Sequence, residues 1–170
     1  LGEWGEIGGL ILKNWLPMEV SQNLNDYDDI AIGQDFGYNH ANAVLLIGIK
    51  DDNIYILKEI YVFEKETSDI IPLVKEAGFP MSRDMWCDSA EPDRIKTWRS
   101  AGFRARGVNK GGSVGSVNAQ IDWLKGIVTK QKTFKRTIYV HPSCVNTIKE
   151  LQQWKWKKDE KTCLLYTSPS

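Results

Sequence analysis

Cysteine is scarce in this chain of 170 residues, where it occurs at positions 87, 144 and 163. An odd count without paired spacing supplies neither a disulfide framework nor a zinc site, and it favours a reducing compartment. Net charge is absent as well, because 22 basic side chains balance 22 acidic ones. A polyanionic partner could therefore be inferred only from local clusters of basic side chains. No apolar run approaches the roughly 18 residues that span a bilayer, so we expect no membrane partner.

Hydrophobic residues make up 42% of the sequence, which is enough for one packed core in a chain of this length. We expect residues 23–162 to form that domain. Residues 1–22 mix glycines with large apolar side chains and show no fold of their own, so they are predicted to lie against a neighbouring surface. The closing CLLYTSPS, residues 163–170, is predicted to be a disordered or foreign tail.

Strand signals dominate the first part of the chain, and helices alternate with strands after it. Strands are predicted at 30–36, 43–49, 54–63, 85–87, 103–108 and 137–140. Helices are predicted at 67–78 and 89–102, after Ser113, and at 142–153. This order predicts an α/β fold with a mixed sheet of about five or six strands, in which the first three are antiparallel and helices cover both faces.

Two of the apolar strands end in an aspartate. Asp35 follows Ile30-Ala31-Ile32-Gly33-Gln34, and Asp88 follows Met85-Trp86-Cys87. A buried strand rarely tolerates an unpaired carboxylate, although each aspartate alone suits a turn or a helix cap equally well. Two carboxylates in similar settings favour one shared site, and such a site usually holds a divalent metal ion.

Weaker candidates surround this pair. Lys110 and Ser113 flank two glycines ahead of a helix, an arrangement that suits a bound phosphate or an ordinary capped loop. Arg106 approaches the same loop and could contact a DNA backbone. Glu59 lies in the third predicted strand, where alternation favours a solvent-facing side chain.

The chain carries five segments in an order typical of one protein family: IGQDFGYNHANAVLL, YILKEIYV, WCDSAEPDRIKTWRSAGF, ARGVNKGGSVGSVNAQIDWL and IYVHPSCVNTIKELQQWKWKKD. Together they resemble the C-terminal nuclease domain of a tailed-phage terminase large subunit, which has an RNase H-like fold. The opening LGEWGEIGGLILKNW resembles the connector between the ATPase and nuclease domains of that family. The resemblance covers nearly all of residues 1–160 and implies that the chain is a fragment.

This resemblance implies metal-dependent cleavage of concatemeric double-stranded DNA during genome packaging, in the host cytoplasm of a phage-infected cell or a prophage carrier. Asp35 would bridge two Mg²⁺ or Mn²⁺ ions, and Asp88 would bind one of them. The third acidic ligand of the family is absent from this chain, so the fragment is expected to be weakly active or inactive. Implied partners are an upstream ATPase domain, the terminase small subunit and the portal protein. No GxxxxGK[ST] segment is present here.

Two other interpretations stay open. A nuclease of the resolvase or transposase type would share the acidic site. A domain that holds DNA or the portal without cutting would also fit, because the third acid is missing.

Overall fold

A computed structural model describes residues 15–35, 41–88, 91–108, 137–153, 155–158 and 165–168. The strands are β1 (Trp15–Pro17), β2 (Asp29–Asp35), β3 (Asn42–Lys50), β4 (Asn53–Val62), β5 (Asp84–Asp88), β6 (Arg104–Val108), β7 (Ile138–Val140), β8 (Lys155–Lys158) and β9 (Leu165–Ser168). The helices are α1 (Thr67–Glu76), α2 (Pro92–Ser100) and α3 (Val145–Gln153). In these ranges, no helix combines the length and apolarity that a membrane crossing requires.

Seven strands form one mixed sheet in the order β1-β7-β4-β3-β2-β5-β6. β3 runs antiparallel to both of its neighbours, β2 and β4, whereas the other neighbouring strands pair in parallel. β8 and β9 form a separate antiparallel pair. The predicted mixed sheet with three antiparallel leading strands is confirmed. The expected five or six strands are too few, because Trp15–Pro17 adds an edge strand that is too short to show a periodic pattern.

The turn between β3 and β4 makes a hairpin of two of the leading strands that were predicted to be antiparallel. Asp51 and Asp52 have φ angles of 49° and 68°, and a two-residue hairpin loop of this type needs positive φ at both positions. Aspartate tolerates this left-handed conformation better than most residues, because its short side chain can bond to the local backbone.

Helices cover both faces of the sheet, as the strand and helix order predicted. α1 and α2 pack on one face over a cluster that includes Ile32, Leu46, Met85, Cys87 and Trp98. α3 packs on the other face over a cluster that includes Ile47, Ile56, Val140 and Leu151. Cys87 is fully buried and packs in the cluster under α1 and α2 as a small core residue.

A β-bulge interrupts β4. The register steps from Leu46–Lys58 to Ile47–Ile56, so Leu57 is the extra residue. Ile56 belongs to the cluster under α3, whereas Leu57 belongs to the cluster under α1 and α2. The alternation of side chains between the two faces of the sheet is therefore broken at the bulge. From Glu59 onward, each side chain of β4 lies on the face opposite to the one that uninterrupted alternation would give it.

Trp15 packs in the core of the domain although it lies within residues 1–22. This side chain is 5% exposed and belongs to the core under α3, and β1 pairs with β7. Trp4 lies outside the described residues. The assignment of residues 1–22 as a connector stays a prediction.

Candidate metal centre

Asp35 and Asp88 lie at the carboxyl ends of neighbouring parallel strands. Gln34 of β2 is the register partner of Cys87 of β5, and the two aspartates follow these residues directly. Paired strands are about 4.8 Å apart, so the two backbones reach the same edge of the sheet side by side. Ligands of open α/β sheets bind outside this edge. The predicted neighbourhood of the two strands is confirmed, and shared metal binding by the two carboxylates stays a prediction.

The side chain of Asp35 occupies the face of the sheet that α3 covers. Ile30 and Ile32 pack under α1 and α2, so alternation puts Asp35 on the opposite face. Asp35 pairs with Ala43, and Ala43 pairs with Tyr61, which places these three residues in one row across β2, β3 and β4. Asp35 is half-buried in this row.

Tyr61 connects this row to α3. Its hydroxyl donates a hydrogen bond to Oε1 of Glu150 at 3.0 Å. Burial raises the pKa of Tyr61 to about 12, with further contributions from the charge and hydrogen bond of Glu150 and from the charges of Glu59 and Asp35. The phenol is therefore protonated at neutral pH. Three carboxylates, of Asp35, Glu59 and Glu150, lie within electrostatic reach of its oxygen.

Glu59 caps the amino end of α3. Its Oε1 accepts from the Asn146 amide at 2.7 Å, and its Oε2 accepts from the Thr147 amide at 3.2 Å and from the Thr147 hydroxyl at 3.3 Å. Burial raises the pKa of Glu59 above its ordinary value, and these hydrogen bonds partly offset that rise. The interpretation of Glu59 as a solvent-facing strand residue is wrong, because the bulge at Leu57 turns it toward α3.

Replacing Glu59 by alanine should lower the free energy of unfolding by about 1–2 kcal/mol, because two amides at the start of α3 lose their acceptor. Urea denaturation followed by circular dichroism measures this change. Glu66→Ala is the matched control, since Glu66 stands at the N-cap of α1 and its side chain makes no capping bond. The control should change stability by less than about 0.5 kcal/mol. Equal effects of the two substitutions would contradict the capping role.

Basic side chains lie toward the opposite end of β5 and β6. Nε of Arg106 is 3.3 Å from Oδ1 of Asp84, and Nε of Arg104 is 3.6 Å from the same oxygen. Both arginine side chains are about half exposed, which leaves them accessible to a phosphate backbone. Lys110 and Ser113, the other predicted phosphate contacts, lie outside the described residues.

A groove of about 480 Å³ runs along the part of β4 that extends beyond its pairing with β7, between α1 and the amino end of α3. Glu59 and Tyr61 line it, but Asp35 does not. The groove therefore adjoins the acidic edge without containing it. Within the described residues, no three His, Cys, Asp or Glu side chains are grouped to hold one metal ion.

Sequence reasoning missed Tyr61 and Glu150. Tyr61 follows the bulge, and no local sequence pattern predicts that bulge. Glu150 is one polar residue among several in an amphipathic helix. Their contact joins positions 89 residues apart, so only the folded chain brings them together.

Comparison with known proteins agrees with this architecture. A family model described as the terminase RNase H-like domain matches residues 35–167. The PBSX phage terminase large subunit of Bacillus subtilis (strain 168) is 27% identical over 135 residues, which cover 78% of this chain and 29% of that protein. The chain therefore spans less than a third of the length of this curated relative.

Two solved structures have a similar fold. The nuclease domain of the g2p large terminase from bacteriophage SPP1, solved with bound Mn, has a TM-score of 0.68 at 21% identity, covering 88% of this chain and 83% of that one. The large terminase from the thermophilic bacteriophage D6E has a TM-score of 0.66 at 17% identity, covering 95% of this chain and 41% of that one.

Proposed function

This chain belongs to the family of terminase RNase H-like domains, and from that membership we propose that it supplies the nuclease of a phage DNA-packaging terminase large subunit. Its activity is endonucleolytic cleavage of concatemeric double-stranded DNA during genome packaging. The observation that carries the proposal is the meeting of Asp35 and Asp88 at the carboxyl ends of β2 and β5. Family membership favours this function over a resolvase or transposase.

The residues at this edge fit a hard divalent cation. Mg²⁺ and Mn²⁺ prefer carboxylate oxygens, and Mg²⁺ needs only one or two carboxylates when water and phosphate oxygens complete its shell. When bound, two such ions would activate a water molecule and stabilise the leaving oxygen of the phosphodiester. Asp35 would hold both ions and Asp88 one of them. The SPP1 nuclease domain, which has this fold, was solved with bound Mn.

The proposed substrate contacts are polar and basic side chains on β6 and in the sequence that follows it. Arg106 is half exposed on β6, the strand next to β5, and can neutralise a phosphate without reading sequence. Lys110 and Ser113, which follow β6 in the sequence, are proposed to contact phosphate as well. We expect little sequence preference, since contacts to phosphate carry no sequence information directly.

In the whole protein, this nuclease would lie beside an ATPase motor domain. We assign residues 1–22 to a connector from an upstream ATPase domain, and the terminase small subunit and portal protein are the further proposed partners. The site of action is the host cytoplasm, where the concatemer is packaged. The non-cutting alternative rests on the lack of a third grouped acid among the described residues.

Titration of the chain with MnCl₂ in a calorimeter tests the proposed centre. The unaltered protein should give a binding heat, and Asp35→Asn should abolish it, because one charged bridging ligand is lost. Asp29→Asn is the matched control: Asp29 starts the same strand, is exposed, and lies 3.7 Å from Nη1 of Arg83. Binding that persists in Asp35→Asn would refute the assignment of Asp35.

A further inference from the structure

Gln34 is an amide side chain in an apolar part of the core. It is 2% exposed, and its register partners on the two sides, Val44 of β3 and Cys87 of β5, are fully buried. Both partners belong to the cluster under α1 and α2, and alternation along β2 puts Gln34 on the same face as Ile32 of that cluster. Glutamine is mostly exposed in folded proteins, so its presence at this position needs a physical reason.

The amide of Gln34 binds the backbone where β2 ends. Its Nε2 donates to the carbonyl oxygen of Asp35 at 2.8 Å. The reverse orientation of the amide would bring its oxygen against that carbonyl oxygen, and two acceptors cannot form a hydrogen bond. The donor is therefore the amide nitrogen, and this bond holds the peptide that follows Asp35, the last residue of the strand.

The oxygen of the same amide shows that Gln34 does not serve stability alone. Its Oε1 is buried and has no hydrogen-bond partner among the described residues. An unsatisfied buried acceptor costs free energy, and a methionine of similar size would fill the space without that cost. An unsatisfied polar group in a folded core calls for a role other than stability, and the bond from Nε2 to Asp35 is the contact that such a role would use.

The bond acts on the side chain of Asp35 through the backbone. Pairing with Ala43 of β3 holds the Asp35 backbone on one side, whereas the described ladder with β5 ends at Gln34 and Cys87. The Gln34 amide adds a contact at the Asp35 carbonyl, which restricts the backbone ψ angle of that residue. Because the allowed side-chain rotamers depend on φ and ψ, a fixed peptide narrows the directions that the Asp35 carboxylate can take.

We propose that Gln34 is a positioning residue for the metal centre: it holds the peptide after Asp35 and thereby directs the carboxylate of Asp35 toward the divalent cation. The inference rests on the proposed function, since Mg²⁺ or Mn²⁺ is the proposed occupant of this edge. Gln34 acts through Asp35 and is not itself a ligand, because the two side chains lie on opposite faces of the sheet. Contacts behind a ligand matter because the ligand must stay close to its productive geometry.

Calorimetric titration of the chain with MnCl₂ tests this role. Gln34→Met keeps the volume and removes the donor, and it should weaken Mn²⁺ binding roughly tenfold, the lower end of the usual effect of contacts behind a metal ligand. Asn42→Leu is the matched control. Asn42 is a second buried amide on the same face, its Nδ2 donates to the carbonyl oxygen of Lys65 at 3.1 Å, and its Oδ1 also lacks a partner among the described residues. The control should leave Mn²⁺ binding within about twofold.

Urea denaturation separates positioning from folding. The midpoint of Gln34→Met should be no lower than that of Asn42→Leu, because each substitution removes one donor bond and one unsatisfied oxygen. Gln34→Leu is a second variant without a donor, and the same results are expected for it. A loss of Mn²⁺ affinity that appears only together with a lower midpoint would overturn the inference, and so would equal losses of affinity in Gln34→Met and Asn42→Leu.

A metal-free measurement decides the inference even if the proposed centre fails. The three-bond Hα–Hβ couplings of Asp35, measured by NMR, should show one preferred χ1 rotamer in the unaltered protein and in Asn42→Leu. In Gln34→Met they should move toward the average of several rotamers, because the peptide after Asp35 is no longer held. Unchanged couplings in Gln34→Met would refute the inference. Absence of a Mn²⁺ heat from the unaltered protein would instead refute the proposed function.

Discussion

In the whole protein proposed above, Asp35→Asn should reduce cleavage of supercoiled plasmid at least about a hundredfold, and Asp88→Asn should do the same. A bound metal contributes several kcal/mol of transition-state stabilisation, and each 1.36 kcal/mol corresponds to about tenfold in rate. Both carboxylates are proposed ligands at one edge of the sheet, so neither can replace the other. Agarose gel electrophoresis of nicked and linear products over time, with Mg²⁺ or Mn²⁺, measures the rate.

The controls use aspartates of the same strands at their other ends. Asp29 begins β2 and Asp84 begins β5, far along the strand from the proposed centre. Asp29→Asn should leave cleavage within about twofold, since an exposed surface charge contributes little. Residues 1–170 alone should cut weakly or not at all. Robust plasmid cleavage by these residues that survives Asp88→Ala would contradict the proposed centre.

Trp98→Ala should lower the free energy of unfolding by about 3–5 kcal/mol, the largest stability change expected for this domain. Trp98 lies on α2, is fully buried, and meets Phe103 edge-on with ring centroids 5.1 Å apart. Its removal leaves a cavity between α2 and the sheet that the surrounding core can fill only in part. Urea denaturation monitored by circular dichroism gives the change.

Trp98→Phe should cost less than Trp98→Ala. The smaller ring keeps most of the apolar contact, and it removes an indole N–H that has no hydrogen-bond partner in the described structure. Lys96→Ala, on the exposed side of the same helix, should change stability by less than about 0.5 kcal/mol. A Trp98→Ala effect as small as that of Lys96→Ala would show that α2 does not pack as described.

Local sequence patterns predicted most of the elements because those elements bury one face. β2, β3 and β4 are long apolar runs separated by turn residues, and the paired positive φ angles at Asp51 and Asp52 suit the residue type found there. β1 was not predicted, since three residues are too few to show a periodic hydrophobic pattern. Its burial also depends on pairing with β7, more than 120 positions away.

The role of Glu59 could not be predicted from local sequence patterns. Alternation along β4 is broken by the bulge at Leu57, and a bulge depends on how a strand fits its partner. With the alternation reset, Glu59 and Tyr61 face α3 instead of solvent or the opposite core. Sequence reasoning therefore assigned Glu59 to the wrong surroundings and had no means to pair Tyr61 with Glu150.

The sequence by itself determined the kind and order of the elements and the presence of an aspartate at the end of two buried strands. Hydrophobic period and turn chemistry are local properties, so they can be read along the chain. Only the tertiary structure decided that Asp35 shares a row with Tyr61 and that α3 brings Glu150 to Tyr61. Those arrangements come from strand pairing and side-chain packing between distant segments. The free energy of these contacts depends on the whole core, so no single stretch of sequence predicts them.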